Sequence, residues 1–239
     1  SRLSRGLGDV YKRQAFNLIT LLNIETSTTT CSASISINGE LIDEKIILSD
    51  KYVHGEQLHI LIQSLLKKND ISFTNLDGVC IASGPGSFTG LRIGVSTAKG
   101  IAFAINKPLI SVDTIQVMME NYDISNKESN SIYFPMIDAR RDEVYTAGYN
   151  AKKEIVYPLD AKIVDQSFLD SLSQFEYVYF IGSGARKFLD KTLEGPQINP
   201  VELNFSRGMT KMTYAKFISK DFEDVAYFVP LYLKDFKPF

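Results

Sequence analysis

The chain has few of the residues that build disulfide frameworks or metal centres, since it contains two cysteines and two histidines among 239 residues. Cys31 and Cys80 each lie inside an apolar, strand-like run, where a buried, reduced thiol is the expected state. No apolar run reaches the roughly 18 to 20 residues that cross a bilayer. These absences argue against a disulfide-stapled secreted domain and a membrane span, and they predict a soluble, cytoplasmic protein.

The two histidines do not form a metal site on the predicted helix that carries them. His54 and His59 are five residues apart, which places their side chains about 140° apart around a helix. No cluster of Cys, Asp or Glu supplies further ligands at a recognisable spacing. A serine nucleophile is also unsupported, because Ser87 sits in Gly-Pro-Gly-Ser-Phe rather than in Gly-x-Ser-x-Gly. We therefore predict no metal site and no catalytic residue.

Charge divides the chain into a short basic leader and an acidic body. Residues 1–15 are rich in Arg, Ser and Gly and lack the apolar core of a signal peptide. We interpret them as a non-native or disordered leader, the alternative being a basic targeting arm. Their four basic residues and one aspartate contribute +3, so the formal charge of −2 for the whole chain becomes −5 for the rest. Such a body is a poor stand-alone binder of RNA, because phosphate contacts need clustered Lys and Arg.

A glycine-rich loop joins a predicted buried strand at 78–82 to a predicted helix at 89–105. Its glycines allow positive φ or close approach of another backbone, and Ser87 or Thr89 can cap the helix. Three alternatives stay open: an anion held at the helix N-terminus, packing against a partner backbone, or an ordinary turn. The loop comprises Gly84, Pro85, Gly86, Ser87, Phe88 and Thr89.

Hydrophobic periodicity predicts an α/β chain in two parts. The first part reads as strands at 17–24, 31–37, 40–48, 78–82 and 108–112, with helices at 54–68 and 89–105. Asn38-Gly39 predicts a tight hairpin turn. A polar stretch within 118–131 predicts the boundary between residues 16–120 and residues 121–239. The second part reads as strands at 132–137, 144–149 and 177–181, with helices at 168–172 and 209–222.

Five motifs, taken in chain order, resemble those of the TsaB (YeaZ) family. The run GPGSFTGLRIG at 84–94 is the most specific, and the others lie at 22–28, 54–57, 137–145 and 230–234. Together they span most of residues 17–235. The resemblance implies the fold of the actin, Hsp70 and sugar-kinase (ASKHA) superfamily, with two ribonuclease-H-like α/β lobes of which the second is smaller and degenerate.

The same resemblance implies a role in forming N6-threonylcarbamoyladenosine at position 37 of tRNAs that read codons beginning with A. The chain would be a non-catalytic scaffold or activator that dimerises with a TsaD-like catalytic subunit and helps to dock a TsaE-like ATPase. A homodimer is a further possibility, and tRNA would be met only through the complex. No cofactor of its own is expected, whereas ATP and metal are expected on the partner subunits.

The helices at 54–68 and 89–105 are the candidate partner interface. Apolar character on the first helix extends beyond one core-facing stripe, and small residues on the second recur every four positions and form a groove for close helix approach. The alternative is that both helices only pack on their own sheet. The candidate residues are His54, Gln57, Leu58, His59, Leu61, Ile62, Leu66, Gly90, Arg92, Ile93, Gly94, Thr97, Ala98 and Ile101.

A vestigial nucleotide site is the second candidate. In ATPases of this superfamily the first loop carries a magnesium-binding Asp and phosphate-binding hydroxyls, and the chain has Glu in place of that Asp. The alternative is that these hydroxyls bond their own loop and that Gly-Ser-Gly is an ordinary turn. The candidates are Glu25, Thr26, Ser27, Gly182 and Gly184.

One dense charged cluster remains, formed by Asp138, Arg140, Arg141 and Glu143 at the end of a predicted strand. It is either functional or a surface ion-pair network of little energetic weight. Two rival functions also stay open. An autonomous ASKHA-type ATPase or kinase would need the Asp and a strong second phosphate loop, and a peptidase of the TsaD-like (M22) family acting on its partner would need a nucleophile or a metal.

Overall fold

The apolar runs of the N-terminal half form a five-stranded sheet in a computed structural model that describes residues 18–124, 128, 130–189 and 195–234. The predicted leader lies outside the described residues. The sheet order is β3-β2-β1-β4-β5, with β1 antiparallel to β2 and parallel to β4. Its strands are β1 (Thr20–Glu25), β2 (Cys31–Ile37), β3 (Glu40–Ile47), β4 (Gly78–Ala82) and β5 (Leu109–Val112).

The predicted hairpin turn between β2 and β3 is confirmed. Asn38 and Gly39 adopt φ values of 51° and 83°, and this dipeptide accepts positive φ at both positions. The two cysteines are buried and free, as the apolar runs around them predict. None of the helices in the described part of the chain is long and apolar enough to cross a membrane.

Two long helices cover one face of this sheet, as their periodicity predicts. They are α1 (His54–Lys68) and α2 (Phe88–Ile105). Their buried leucines, valines and alanines share one core with Leu22 and Ile24 of β1. α2 begins one residue before the prediction because Ser87 is its N-cap, with Ser87 Oγ accepting a hydrogen bond from Gly90 N at 3.3 Å.

A shorter helix, α3 (Thr114–Asn121), was not predicted. Asp113 caps it, since its Oδ1 accepts hydrogen bonds from the backbone nitrogens of Ile115 and Gln116. Ile115 and Met118 of α3 pack in a core of the second lobe. The helix therefore links the two lobes, and part of the polar stretch predicted as the boundary (residues 125–127 and 129) lies outside the described residues.

A second five-stranded sheet repeats the order of the first. Its order is β10-β9-β6-β7-β8, with β6 antiparallel to β7 and parallel to β9. This duplication confirms the predicted fold of two α/β lobes. Its helical cover is thinner, since α4 (Gln166–Asp170) has five residues. The strands are β6 (Ser131–Asp138), β7 (Glu143–Tyr149), β8 (Ile155–Ile163), β9 (Tyr177–Ile181) and β10 (Gln197–Asn199).

The C-terminal segment returns to the first lobe, which corrects the assignment of all residues after 120 to the second. The helix α5 (Thr210–Ser219) packs on β1 and β5, and Thr213 Oγ1 donates to Asn23 Oδ1 at 2.9 Å. The segment 220–234, called the arm below, continues along this lobe: Glu223 N donates to Leu109 O at 2.9 Å, and Leu231 N donates to Ser83 O at 2.8 Å. The first lobe is thus built from both ends of the chain.

Candidate functional site

The glycine-rich loop holds two other segments of its own chain. A Cβ on Gly86 would overlap the carbonyl oxygen of Ser27, and a Cβ on Gly84 would lie 2.7 Å from Leu231 O. Ser87 N also donates to Ser27 O at 2.6 Å. The glycines therefore allow close packing of backbone segments within the chain itself, whereas the predicted alternative was the backbone of a partner. The packed backbones are the β1–β2 loop, called the first loop below, and the arm.

The side chains of the first loop are also engaged within the chain. Thr26 Oγ1 donates to Gly90 O at 2.9 Å, and Ser27 Oγ accepts from Asn204 Nδ2 at 3.1 Å. Glu25 is fully buried, and its Oε1 accepts from Ser27 N at 2.5 Å. Burial raises the pKa of the Glu25 carboxyl to about 7. The Thr26 and Ser27 hydroxyls thus stabilise the loop and the Glu25 carboxyl is enclosed by it, which is the structural alternative to a nucleotide contact.

The two glycines of the Gly-Ser-Gly turn serve internal packing in the same way. Gly182 has a φ of 92°, and a Cβ there would overlap the methyl group of Met118. A Cβ on Gly184 would lie 2.7 to 2.8 Å from backbone atoms of Met136 and Ile137. The turn thus packs tightly against β6 and α3, and close packing alone accounts for both glycines.

His54 of α1 is hydrogen-bonded to the first loop. Its Nε2 lies 2.7 Å from Thr28 O and donates to it, and the ring is buried. Burial lowers the pKa of the His54 imidazole, which favours the neutral form. His59, by contrast, is exposed, so the two histidines lie on different sides of α1. No cluster of three or more His, Cys, Asp or Glu within the described ranges is arranged to hold a metal ion.

The structure corrects much of the predicted partner interface, because many of its members face the core. A Cβ on Gly94 would overlap Thr26 Oγ1, and a Cβ on Gly90 would overlap Thr26 O. The small-residue groove of α2 is therefore filled by the first loop. The buried candidates are His54, Leu58, Leu61, Ile62, Leu66, Gly90, Gly94 and Ala98, whereas Gln57, His59, Arg92, Ile93, Thr97 and Ile101 retain exposed surface.

The opposite face of α2 is exposed and uncharged over three turns. Phe103 is 81% exposed, and the neighbouring α1 carries Ile60 at 50% exposed. An exposed helix face usually carries charged residues, so large apolar groups here are informative. The residues of this outer face are Ile93, Ser96, Thr97, Gly100, Phe103 and Ala104, and the sequence analysis missed four of them: Ser96, Gly100, Phe103 and Ala104.

The two basic residues of this part of α2 lie to one side of the outer face, where they contact the arm. Lys99 Nζ donates to the carbonyl oxygens of Ala226 and Phe228 at 3.1 and 2.9 Å. Arg92 Nε donates to Tyr232 Oη at 3.3 Å. The arm thus draws these positive charges away from the outer face.

A cleft of about 1080 Å³ separates the two lobes. The first-loop residues Thr28 and Thr29 line it together with the start of α2, the end of the arm and the β6–β7 hairpin. The charged cluster belongs to this hairpin: Lys187 Nζ lies 2.5 Å from Asp138 Oδ1, and Lys234 pairs with Glu143. The hairpin therefore carries an ion-pair network that also ties the arm to the second lobe.

Comparison with known proteins relates the chain to the threonylcarbamoyladenosine machinery. Residues 47–232 match the family described as TsaD: tRNA N6-adenosine threonylcarbamoyltransferase. The tRNA threonylcarbamoyladenosine biosynthesis protein TsaB of Bacillus subtilis is 31% identical over 168 residues, which cover 69% of this chain and 71% of that protein. The tRNA N6-adenosine threonylcarbamoyltransferase of Geotalea daltonii is 29% identical, over 49% of this chain and 38% of that protein.

Solved structures show the same fold. YeaZ from Pseudomonas aeruginosa superposes with a TM-score of 0.73 at 20% identity, over 90% of this chain and all of that one. Together with the motifs at 22–28 and 84–94, these similarities show that the chain belongs to the TsaB (YeaZ) family of tRNA threonylcarbamoyladenosine biosynthesis proteins.

Proposed function

We propose that this chain is a non-catalytic subunit of the complex that forms N6-threonylcarbamoyladenosine at position 37 of tRNAs reading codons that begin with A. It binds a TsaD-like catalytic subunit through the outer face of α2 and the adjoining surface of α1. A TsaE-like ATPase docks on the assembled pair, and tRNA is bound through the complex. ATP and metal act on the partner subunits.

The observation that carries this proposal is the position of Gly100. Glycine in a helix interior costs about 0.5–1 kcal/mol relative to alanine. Close packing inside the chain accounts for Gly90 and Gly94, but a Cβ on Gly100 would meet no described atom within 4 Å. An approaching helix of another chain would account for that glycine, since a missing Cβ lets two helix backbones come close.

The choice of a TsaD-like partner follows from the likeness of the two proteins. Because the chain matches the TsaD family over residues 47–232, a TsaD-like subunit is expected to present an equivalent helix pair. Two such pairs can pack face to face and bury Ile60 and Phe103 of this chain. Two copies of this chain could pack through the same helix pair, so a homodimer is the competing arrangement for the free protein.

The contacts of the first loop favour this role over the two rival functions. An autonomous ATPase or kinase would use first-loop side chains on magnesium and phosphate, whereas Thr26 and Ser27 are hydrogen-bonded within the chain and Glu25 is buried. A peptidase would use a nucleophile beside a base, and His54 donates to a backbone carbonyl instead. The proposal therefore assigns the chemistry to the partner.

The test is co-elution of the chain with the TsaD protein of the same genome, followed by size-exclusion chromatography with light scattering. Wild type is expected to form a one-to-one complex. Gly100→Arg places a large charged side chain in open space, so the variant is expected to fold normally and to bind at least 100-fold more weakly in titration, a loss of about 2.7 kcal/mol.

The matched control is Ile218→Asp, which changes a residue 57% exposed on α5, away from the outer face. It is expected to keep full affinity. A folded Gly100→Arg variant that binds TsaD as wild type does would overturn the proposed interface. ATP turnover by this chain alone, without TsaD or TsaE, would favour the autonomous ATPase.

A further inference from the structure

A pocket of about 300 Å³ lies between α2 and the arm, beside the outer face. We propose that this pocket binds a carboxylate side chain of the TsaD-like partner, with Arg92 and Lys99 as the cationic contacts. The inference rests on the proposed function, and it extends the proposed interface from α2 to the arm.

The pocket is continuous with the outer face through Ser96, which belongs to both. Its α2 wall also carries Arg92 and Lys99, whose spacing of seven residues places them on the same side of the helix. The arm forms the other wall, where Val229 is 66% exposed and Tyr232 is 40% exposed. An element of the partner that packs on the outer face would therefore lie beside the mouth of the pocket.

The two positive charges of the pocket have only neutral partners within the described part of the chain. Lys99 Nζ donates to two backbone carbonyl groups of the arm, and Arg92 Nε donates to the Tyr232 hydroxyl group. None of the residues that line the pocket is acidic, and neither side chain forms an ion pair with a described acid. Neutral partners hold the two side chains in place and leave their charges uncompensated.

The three acids of the arm have other partners. Asp221 pairs with a lysine of α5, and Glu223 accepts a hydrogen bond from the Ser111 hydroxyl group. Asp224 accepts from two backbone nitrogens of the arm itself. The described part of the arm therefore brings no counter-charge to the pocket, although the whole chain has a formal charge of −2.

The guanidinium group of Arg92 is oriented for a carboxylate. Its Cζ lies 3.9 Å from the centroid of the Phe88 ring, and stacking on this ring fixes the plane of the group. Because Nε is the atom that bonds Tyr232, both terminal amino groups lack a hydrogen-bond partner among the described residues. Arginine binds carboxylates through two parallel hydrogen bonds, and these amino groups can donate them.

Partner binding would change the surroundings of the two charges. A subunit packed on the outer face would exclude water from the adjoining pocket, and a buried charge without a counter-charge is costly. A carboxylate from the partner would remove that cost and would disfavour partners that lack one. RNA is the less suitable ligand, because phosphate binding needs a larger cluster of basic residues than the two that line this pocket.

The experiment is titration of the full chain with the TsaD protein of the same genome, at low and at high salt. Arg92→Gln is expected to bind at least 10-fold more weakly than wild type at low salt, because a charged, two-pronged contact is lost. Its affinity should also depend less on salt. Arg92 is exposed, so the melting temperature of the variant should stay close to that of wild type. The matched control Lys211→Gln removes one charge from an exposed position of α5 and is expected to bind as wild type.

The outcomes separate this pocket from the proposed interface. Wild-type affinity and salt dependence in Arg92→Gln, together with weak binding by Gly100→Arg, would overturn the pocket and leave the proposed function intact. Failure of wild type to bind TsaD would overturn the proposed function. An RNA stem-loop is titrated alongside: if Arg92→Gln lost affinity for RNA and kept full affinity for TsaD, the pocket would be an RNA contact and the proposal would be wrong.

A second measurement identifies the group in the pocket. Arg92→Lys keeps the positive charge and supplies a primary amine, which a carbodiimide couples to a carboxyl group in contact with it. Mass spectrometry of the treated complex is expected to show position 92 joined through an amide bond to an Asp or Glu of TsaD. A complex of this variant in which position 92 is joined to no acid of TsaD would overturn the proposal.

Discussion

The two faces of α2 use glycine in different ways. On the inner face, Gly90 and Gly94 touch Thr26, so that no side chain fits there. On the outer face, Gly100 touches nothing within the described part of the chain, and its neighbours are uncharged. The contacts of the inner glycines with the first loop compensate for the lower helix propensity of glycine. The outer face lacks such a compensation among the residues that the structure describes, which is why we assign it to a partner.

The largest expected effect is that of Gly94→Leu on the inner face. The new side chain would collide with Thr26 Oγ1 and with Ile81, whose Cδ1 lies 3.0 Å from the position of a Cβ. Both neighbours are fully buried and have no space to move into. We expect the free energy of unfolding to fall by more than about 4 kcal/mol, measured by urea denaturation followed by circular dichroism.

The matched control for that substitution is Gly100→Leu, which adds the same side chain on the outer face. It is expected to leave the fold intact. A well-folded Gly94→Leu variant with wild-type stability would mean that the inner face has free space. It would contradict the difference between the two faces of α2. Loss of folding in Gly94→Leu also means that this substitution cannot test partner binding.

The first loop packs against the inner face of α2, and its Glu25 carboxyl is expected to make the free energy of unfolding depend on pH. Burial raises the pKa of Glu25 from 4.5 to about 7, so the folded state binds more protons than the unfolded state between these values. Stability contributed by this group therefore falls as pH rises through that window. Glu25→Gln removes the titration, and it is expected to stabilise the chain relative to wild type by up to about 3 kcal/mol at pH 8.

The measurement is the free energy of unfolding of wild type and of Glu25→Gln at pH 5, 6, 7 and 8. The difference between the two proteins should grow from pH 5 to pH 7 and level off towards pH 8, above the raised pKa of Glu25. A difference that stays constant from pH 5 to pH 8 would show that the Glu25 carboxyl has an ordinary pKa, and thus that the first loop is less tightly enclosed than the inner face of α2 suggests.

Local pattern was sufficient to predict most elements of the first lobe. A period of two located β2, a buried apolar run located β4, a period of 3.6 located α1 and α2, and Asn38-Gly39 located the hairpin turn. The same pattern could not tell which side of α2 faces the core, because glycines and alanines occur on both sides. The deciding contact joins Thr26 to Gly90 across 64 positions of sequence, and no local pattern encodes it.

The second lobe was harder to predict because its outer strands are weakly patterned. β8 is an edge strand with mostly exposed or half-exposed residues and a proline at position 158, so it lacks the buried apolar alternation of an inner strand. β10 has only three residues. The return of α5 to the first lobe depends on packing between chain ends, and the cleft depends on both lobes, so neither was accessible from local sequence.

The smallest expected effect is that of Gly100→Ala on the outer face. It should raise the free energy of unfolding, whereas substitutions of the inner glycines should lower it. Gly100→Ala adds a Cβ in open space, and alanine favours the helix by about 0.5–1 kcal/mol over glycine. The isolated chain should therefore become more stable by that amount in urea denaturation, while the complex with TsaD should weaken because the new methyl group separates the two helices. Gly94→Ala, measured alongside, should lower stability. If Gly100→Ala instead destabilised the isolated chain, part of this chain would have to cover the outer face, and the difference between the two faces of α2 would disappear.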